Sequence, residues 1–403
     1  MKLTLTSLLC AVVLFASYGQ REIDSKFGKG LYNVIAADSS WKMKFGMRFQ
    51  TLFIGQNDHV DSTGFGAGSS QFLIRRARLK FDGFAFSPKL KYKVELGLSN
   101  RDLGKVDGTN NLAPRMILDA VVKWNFYQNF ELWAGQTKLA GNRERVVSSA
   151  NMQLVDRSLL NSRFNIDRDM GIQLRHHFKL GNVVVREIAS ISQGEGRNLV
   201  QDNLGGLQYT GRVEILPFGK FNGKGDYVCG DIAREEKPKL SVAATYDFND
   251  RAVKTRSNLG SYMVDGSGAN SDGFFHSNIT TIFADMMFKY KGFSLMGEWA
   301  MRDADVINHY SADSTFSATV YTGTGLNLQA GYLLKNNWEV AGRYTQINPG
   351  EETGRADHQQ YTFGISKYLA GHALKVQSDV SWMTTKDSPD SHLMYRLQID
   401  IHF

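Results

Sequence analysis

Apolar and polar residues alternate one by one along most of the chain. In residues 42–54, KMKFGMRFQTLFI, Met43, Phe45, Met47 and Phe49 alternate with Lys42, Lys44, Gly46, Arg48 and Gln50. Successive side chains of a strand point to opposite faces, so a period of two predicts one apolar and one basic face. At 89–99, Leu90, Tyr92, Val94, Leu96 and Leu98 alternate with Lys91, Lys93, Glu95 and Gly97. At the C-terminus, Leu393, Tyr395, Leu397, Ile399 and Ile401 alternate with Arg396, Gln398, Asp400 and His402. Sixteen such segments are predicted, at about 42–54, 71–85, 89–99, 115–126, 130–137, 166–178, 182–192, 207–216, 239–247, 276–290, 292–302, 321–333, 338–347, 358–369, 372–383 and 392–403. Each is near or above the roughly ten residues that a tilted strand needs to cross a bilayer.

The connections alternate as well. Short turns such as FSPK, YQN, KLGN, YKG, LKNN and AGH interleave with long polar loops at 55–70, 100–114, 138–165, 248–275 and 303–320. Short turns at one rim and long loops at the other predict an all-β fold, a transmembrane antiparallel barrel of about sixteen strands. A soluble sandwich also alternates, but these strands exceed the usual five or six residues. Rings also gather near strand ends, as at Trp124, Phe126, Tyr127 and Tyr368, the positions of an interfacial girdle. Closure pairs every backbone N–H and C=O and leaves no edge in lipid. The segment 217–238, PFGKFNGKGDYVCGDIAREEKP, falls where a short turn is expected, and the periodicity does not account for it.

In such a barrel the polar face points inward. The stretch FLIRRARLKFDGFAF (72–86) then puts Arg76, Arg78 and Lys80 inside and Ala77, Leu79 and Phe81 against lipid. Arg75 breaks the period; either a bulge turns it inward or it lies near the outer rim against head groups.

Composition agrees with this reading. The 403 residues include 39 Gly and 12% aromatics but 6 Pro and 2 Cys, which suits many strands joined by tight turns. Residues 1–19 read as an export signal, with Lys2, an apolar run from Leu8 to Ala16, and small residues Ser17 and Gly19 before Gln20. Residues 20–40 then form a short periplasmic N-terminal segment, and 41–403 the barrel. The segment before the first strand is too short for the plug of a TonB-dependent transporter. Beyond the signal no run of about 18 apolar residues occurs, and Cys229 remains without a disulfide partner. The formal charge of +7 could suit nucleic acid, but cations on alternating strand positions are enclosed, so no nucleic-acid partner is expected.

Catalytic chemistry finds little support. Among the 9 His there is no metal-spaced pair, and no Gly-x-Ser-x-Gly occurs. No catalytic residue, metal or cofactor is expected. The stretch DGSGANSDG (265–273) has the look of a calcium loop but also ordinary loop composition.

Three stretches together carry a resemblance: FLIRRARLKFDG, then RERVVSSANMQLVDRSLLNSRFNIDRDMGIQL after the fifth strand, and the terminal IDIHF. From about residue 40 to 403 the chain resembles the phosphate-selective porin O and P family. The resemblance implies a sixteen-stranded, homotrimeric porin in the outer membrane of a Gram-negative bacterium. It implies a third extracellular loop folded into the lumen, and basic residues on the wall and at the constriction that draw in anions. Phe403 resembles the terminal signal read by the barrel assembly machinery.

Loop 138–165 suits the inward role on its own terms. Val146, Val147, Met152, Leu154, Val155, Leu159 and Leu160 can pack on the inner wall, and Ser149 is a candidate helix N-cap. The candidate pore-lining, anion-binding residues are Arg48, Arg76, Arg78 and Lys80 on the wall and Arg143, Arg145, Arg157 and Arg163 on the loop. Lys91, Lys93 and Lys123 are weaker candidates. Each has a structural alternative as an ion pair; the loop arginines could anchor to Asp156 or Asp169. One departure from the family matters. Its best-studied members carry ladders of Arg, whereas here Asp82, Glu95, Asp119, Asp156, Asp167, Asp169 and Glu214 are mixed among the cations. The expected function is therefore an anion-preferring diffusion channel for small inorganic or organic anions, with phosphate and polyphosphate among the candidates. The alternatives are a non-selective porin, a structural or adhesive barrel, and an outer-membrane hydrolase.

Overall fold

Strand β1 (Trp41–Asp61) pairs on one side with β2 (Gly68–Ala85) and on the other with β16 (Ser391–His402), and this last pairing closes the sheet. Between them run β3 (Ser87–Gly97), β4 (Ile117–Tyr127), β5 (Phe130–Lys138), β6 (Arg168–Leu180), β7 (Val183–Ser192) and β8 (Gln208–Leu216). The second half holds β9 (Lys239–Ala252), β10 (Ser277–Tyr290), β11 (Phe293–Ala304), β12 (Gly323–Leu333), β13 (Trp338–Pro349), β14 (His358–Tyr368) and β15 (Leu374–Thr385). Every neighbouring pair is antiparallel. The computed structural model describes residues 20–22, 26–61, 64–66, 68–104, 115–199, 202–268, 270–311, 316–389 and 391–403. The export-signal stretch 1–19 and most of loop 100–114 lie outside the described residues. Among the described residues no helix is long and apolar enough to cross a membrane.

All sixteen segments expected from the alternation are strands. β1 and β9 run on to Asp61 and Ala252, past the expected ends at 54 and 247, because their outer turns are too polar for the period to register. Residues Tyr32–Ala36 add a short strand beside the start of β1, and the Phe27 ring meets Phe403 edge-on at 5.7 Å. The Arg75 anomaly is a bulge. Gln50 faces Arg76 and Thr51 faces Ile74, so Arg75 is the extra residue and shares the inner face with Arg76.

Part of the inner face also carries apolar residues. The inner face is polar on β2–β7 and mixed on β10–β13, where Phe283, Met287, Met296, Ala300 and Ile347 are buried among Asp285, Glu298, Asn327, Gln329 and Thr345. These residues pack against apolar side chains of the inward segments. The bore thus contains its own hydrophobic core, and that core is what positions the site.

Candidate functional site

Residues 139–167 leave β5 and cross the bore. Leu139, Leu160, Phe164 and Ile166 cluster with Phe283, Ala300, Tyr321 and Ile347; Val147 and Met152 cluster with Leu216, Met287 and Met296; Val155 meets Leu52 and Ile54. These apolar contacts join residues 139–167 to the strands of the wall. Two wall glycines admit close approach: a Cβ at Gly331 on β12 would overlap the Gln153 side chain, and one at Gly364 on β14 would overlap Leu154. Short helical turns start at Arg143, Ser149 and Leu159. The expected cap at Ser149 is displaced by one residue, since the Ser148 hydroxyl accepts from Ala150 N–H. Ser158 caps the turn Leu159–Phe164.

Polar contacts fix the loop to widely separated strands. Arg143 donates to Asp285 of β10 at 2.8 Å and to Ser241 of β9 at 3.0 Å. Gln153 donates to Glu339 of β13 at 2.7 Å, and Gln377 of β15 donates to the Gln153 carbonyl at 2.7 Å. Arg302 of β11 holds the Phe164 carbonyl at 2.5 Å. The loop therefore packs beside β8–β15 and leaves space along β2–β7 that reaches past β1 to Arg343, Gln360, Met394 and Arg396 of β13, β14 and β16.

That space consists of two cavities of about 520 and 580 Å³ that share Arg78, Lys138 and Arg168. The first is lined by eleven Arg and Lys side chains against three Asp, the second by nine against four Asp and Glu, so both walls carry an excess of positive charge. The excess is unevenly held. Arg78 pairs with Asp102 at 2.7 Å and Glu95 at 3.1 Å, and Arg168 with Asp119 at 3.1 Å. Arg75 and Arg76 hold Asp156 at 2.8 and 3.5 Å. Burial acts to raise the Asp156 carboxyl, but these arginines hold it well below the usual carboxylate range.

Other cations are held by neutral groups. Lys138 donates to the carbonyls of Arg145 and Val147 at 2.9 and 3.3 Å. Arg157 donates to the carbonyls of Glu144 and Val147 at 2.8 and 3.0 Å, and Arg197 to those of Arg115 and Asp102. Lys123 and Arg175 lie over the Trp133 ring at 3.6 and 3.8 Å. Among the described residues none of these five forms a salt bridge. Each of the five lines one or both cavities.

The eight candidates separate accordingly. Arg76, Arg78, Arg145 and Arg157 line the first cavity, and Arg78 lines both. Arg145 is paired with Asp167, so the anchoring acid is Asp167 and not Asp156 or Asp169. Asp169 accepts instead from the backbone of Gly194 and Gly196. Arg48 lies behind the loop, bonded to Asp400 at 2.6 Å and Ser149 at 2.7 Å. Lys80 pairs with Asp82 at 2.8 Å, outside both cavities. Arg143, expected on the loop with its side chain lining the pore, is fully buried between Asp285 and Glu214 and lines neither cavity. Arg163 lies over Tyr321 on the filled side. The alternation overlooked Lys138, Arg168 and Arg197. Lys138 and Arg168 face each other across the β5–β6 pair, at strand ends where the period stops. The Asp265 carboxylate in the calcium-like stretch accepts from Ser267 and Asn270.

A closed sixteen-stranded barrel with outward rings and a charged conduit inside is an outer-membrane porin. Residues 45–396 match the family described as phosphate-selective porin O and P, and the chain belongs to that family. Its place is the outer membrane of a Gram-negative bacterium. An uncharacterized protein of Aquifex aeolicus (strain VF5) is 22% identical over 83% of this chain and 81% of its own length. The fold is similar to that of an anion-selective porin from Comamonas acidovorans, with a TM-score of 0.53 and 11% identity over 90% of this chain and 100% of that one. It is also similar to OmpT, an outer membrane protein of Vibrio cholerae solved in a trimer form, with a TM-score of 0.52 and 11% identity over 90% and 100% of the two chains.

Proposed function

We propose that the chain forms a water-filled, anion-preferring channel whose path follows the β2–β7 wall through the throat at Arg78, Lys138 and Arg168. The observation that carries this reading is the set of cavity-lining cations without a carboxylate partner, with Lys138 in the throat itself. A neutralised pair such as Arg168–Asp119 adds little net field, whereas an uncompensated cation acts in full. At about 4 Å a unit charge attracts an anion by about 4 kcal/mol at an effective dielectric of about 20, against about 1 in bulk water. Several such cations in series favour entry without a single tight trap. Arginine forks add two-point contact with phosphate or carboxylate. The permeants proposed are small inorganic and organic anions, phosphate and polyphosphate included. The inward loop is the third extracellular one, the assembly is a homotrimer as the Vibrio cholerae trimer form supports, and Phe403 addresses the chain to the barrel assembly machinery.

Reversal potentials in planar bilayers under a potassium chloride gradient test the reading. Chloride-selective potentials are expected, with phosphate reducing the chloride current. Equal permeability of the two ions overturns anion preference; a preference without phosphate competition leaves a general anion porin.

A further inference from the structure

The segment 217–238 joins β8 to β9 at the rim where the other connections span five residues or fewer, as 369–373 does. It is folded across that rim. Asn222 donates to Glu235 through its backbone at 2.6 Å and its side chain at 2.9 Å, closing the segment on itself. At one edge Asp226 pairs with Arg186 of β7, and Tyr227 donates to Glu214 of β8 at 2.5 Å. In the middle Cys229 N–H donates to the Asn151 carbonyl of the inward loop at 2.9 Å, and Lys289 of β10 holds the Val228 carbonyl at 2.8 Å. Beyond, Gly292 N–H donates to Asp231 at 2.7 Å, and Arg234 donates to the Leu333 carbonyl at 2.8 Å, at the end of β12. The His372 ring meets the Cys229 carbonyl at 2.9 Å, next to the start of β15. Gly230, at φ +69°, lies so close to Glu339 of β13 that an added Cβ would sit 2.8 Å from its carboxylate. Phe221 and Cys229 complete the apolar cluster of Val147, Met152 and Leu216.

These anchors run from β7 to β15. The side without them is the β2–β6 side, where Lys220, Lys224 and Tyr227 of the same segment line the second cavity. We infer that segment 217–238 is a fixed septum: it seals the β9–β15 side of the turn rim, confines permeation to the β2–β7 conduit, and presents Lys220 and Lys224 as the cationic edge of its exit. The loop from the opposite rim seals the same side from within, and the two meet where Cys229 N–H donates to Asn151 and Arg143 donates to the Asp226 carbonyl at 3.2 Å. The inference rests on the proposal that the conduit carries anions, and makes the septum a determinant of its selectivity.

The test uses the full-length channel in planar bilayers. Residues 219–236 are replaced by a short Gly-Ser turn. Conductance is expected to rise roughly twofold or more, and the chloride-to-potassium permeability ratio to fall toward unity, as a second and less charged path opens. Unchanged conductance overturns the septum. A wild-type channel without anion preference instead refutes the anion reading, while the conductance change still decides the septum. Should the deletion variant fail to insert, thiol labelling of the intact barrel decides. Cys229 is 1% exposed, and burial pushes its thiol up to about 12, so it is expected to resist a channel-permeant maleimide. Lys224→Cys is expected to react, with a bulky adduct reducing the current. Ready labelling of Cys229 in the folded channel, or an unchanged current after complete labelling at 224, overturns the inference.

Discussion

Lys138 and Arg143 stand five positions apart and are held in opposite ways. Lys138 ends β5 in the throat with carbonyl partners alone among the described residues. Arg143 is sealed between Asp285 and Glu214. Lys138→Met is expected to lower the chloride-to-potassium permeability ratio severalfold with little change in thermal unfolding. Arg143→Met is expected to leave the ratio nearly unchanged but to destabilise the barrel by about 3 kcal/mol, because two buried carboxylates lose one of their cations and keep only Arg212 in common. Reversal potentials and thermal unfolding of both variants check this. Arg78→Met is expected to lower the ratio further than Lys138→Met, since it exposes Asp102 and Glu95 to the throat; an equal or smaller drop in the measured ratio contradicts the pairing argument. Strand parity made the inward direction of Arg76 and Arg78 legible in the sequence. It could not say which cations meet a carboxylate, because Asp102 and Asp156 arrive from segments 24 and 80 positions away from those arginines. For Arg143, composition alone offered no way to separate a loop side chain facing the bore from one buried behind it.

Among the elements, the strands were the most legible, since alternation is local and a slip of one residue would turn the whole apolar set inward. The bulge at Arg75 was legible as a break in the period. The apolar positions on the inner face of β10–β13 were not: Phe283, Met296 and Ile347 face inward because the loop covers them, and that cover comes from more than a hundred positions upstream. Segment 217–238 was opaque for the same reason, since its partners Lys289, Leu333 and His372 lie far along the chain. The glycines that admit the loop offer a test at this scale. Gly364→Leu is expected to push Leu154 off β14, lowering the unfolding temperature and making single-channel current flicker as the loop loses its seat. A quiet channel of wild-type stability would show that the close approach at β14 is not what holds the loop.

At the scale of the whole molecule the barrel is packed along one side and holds two cavities along the other. Filling one side with a hydrophobic core places the charged wall of β2–β7 in a narrow conduit with low-dielectric neighbours, where a modest excess of cations has a large effect. Ionic strength should reveal this. The Debye length falls from about 10 Å at 0.1 M to about 3 Å at 1 M salt. Anion preference is therefore expected to weaken between those concentrations at the wide mouths but to persist in part, because ions in the throat pass within contact distance of Lys138. Reversal potentials measured at both concentrations check it; complete loss at 1 M would place the selectivity at the mouths.

The most direct test of the lateral conduit is single-channel current during modification of Lys138→Cys by a small charged thiosulfonate, with Thr345→Cys on the filled side as control. Native Cys229 is buried and does not compete. The account predicts a stepwise fall in current at position 138, larger for an anionic adduct than for a cationic one, and no change at 345. Current that is unaffected by complete modification at 138, or that is blocked from 345, contradicts it.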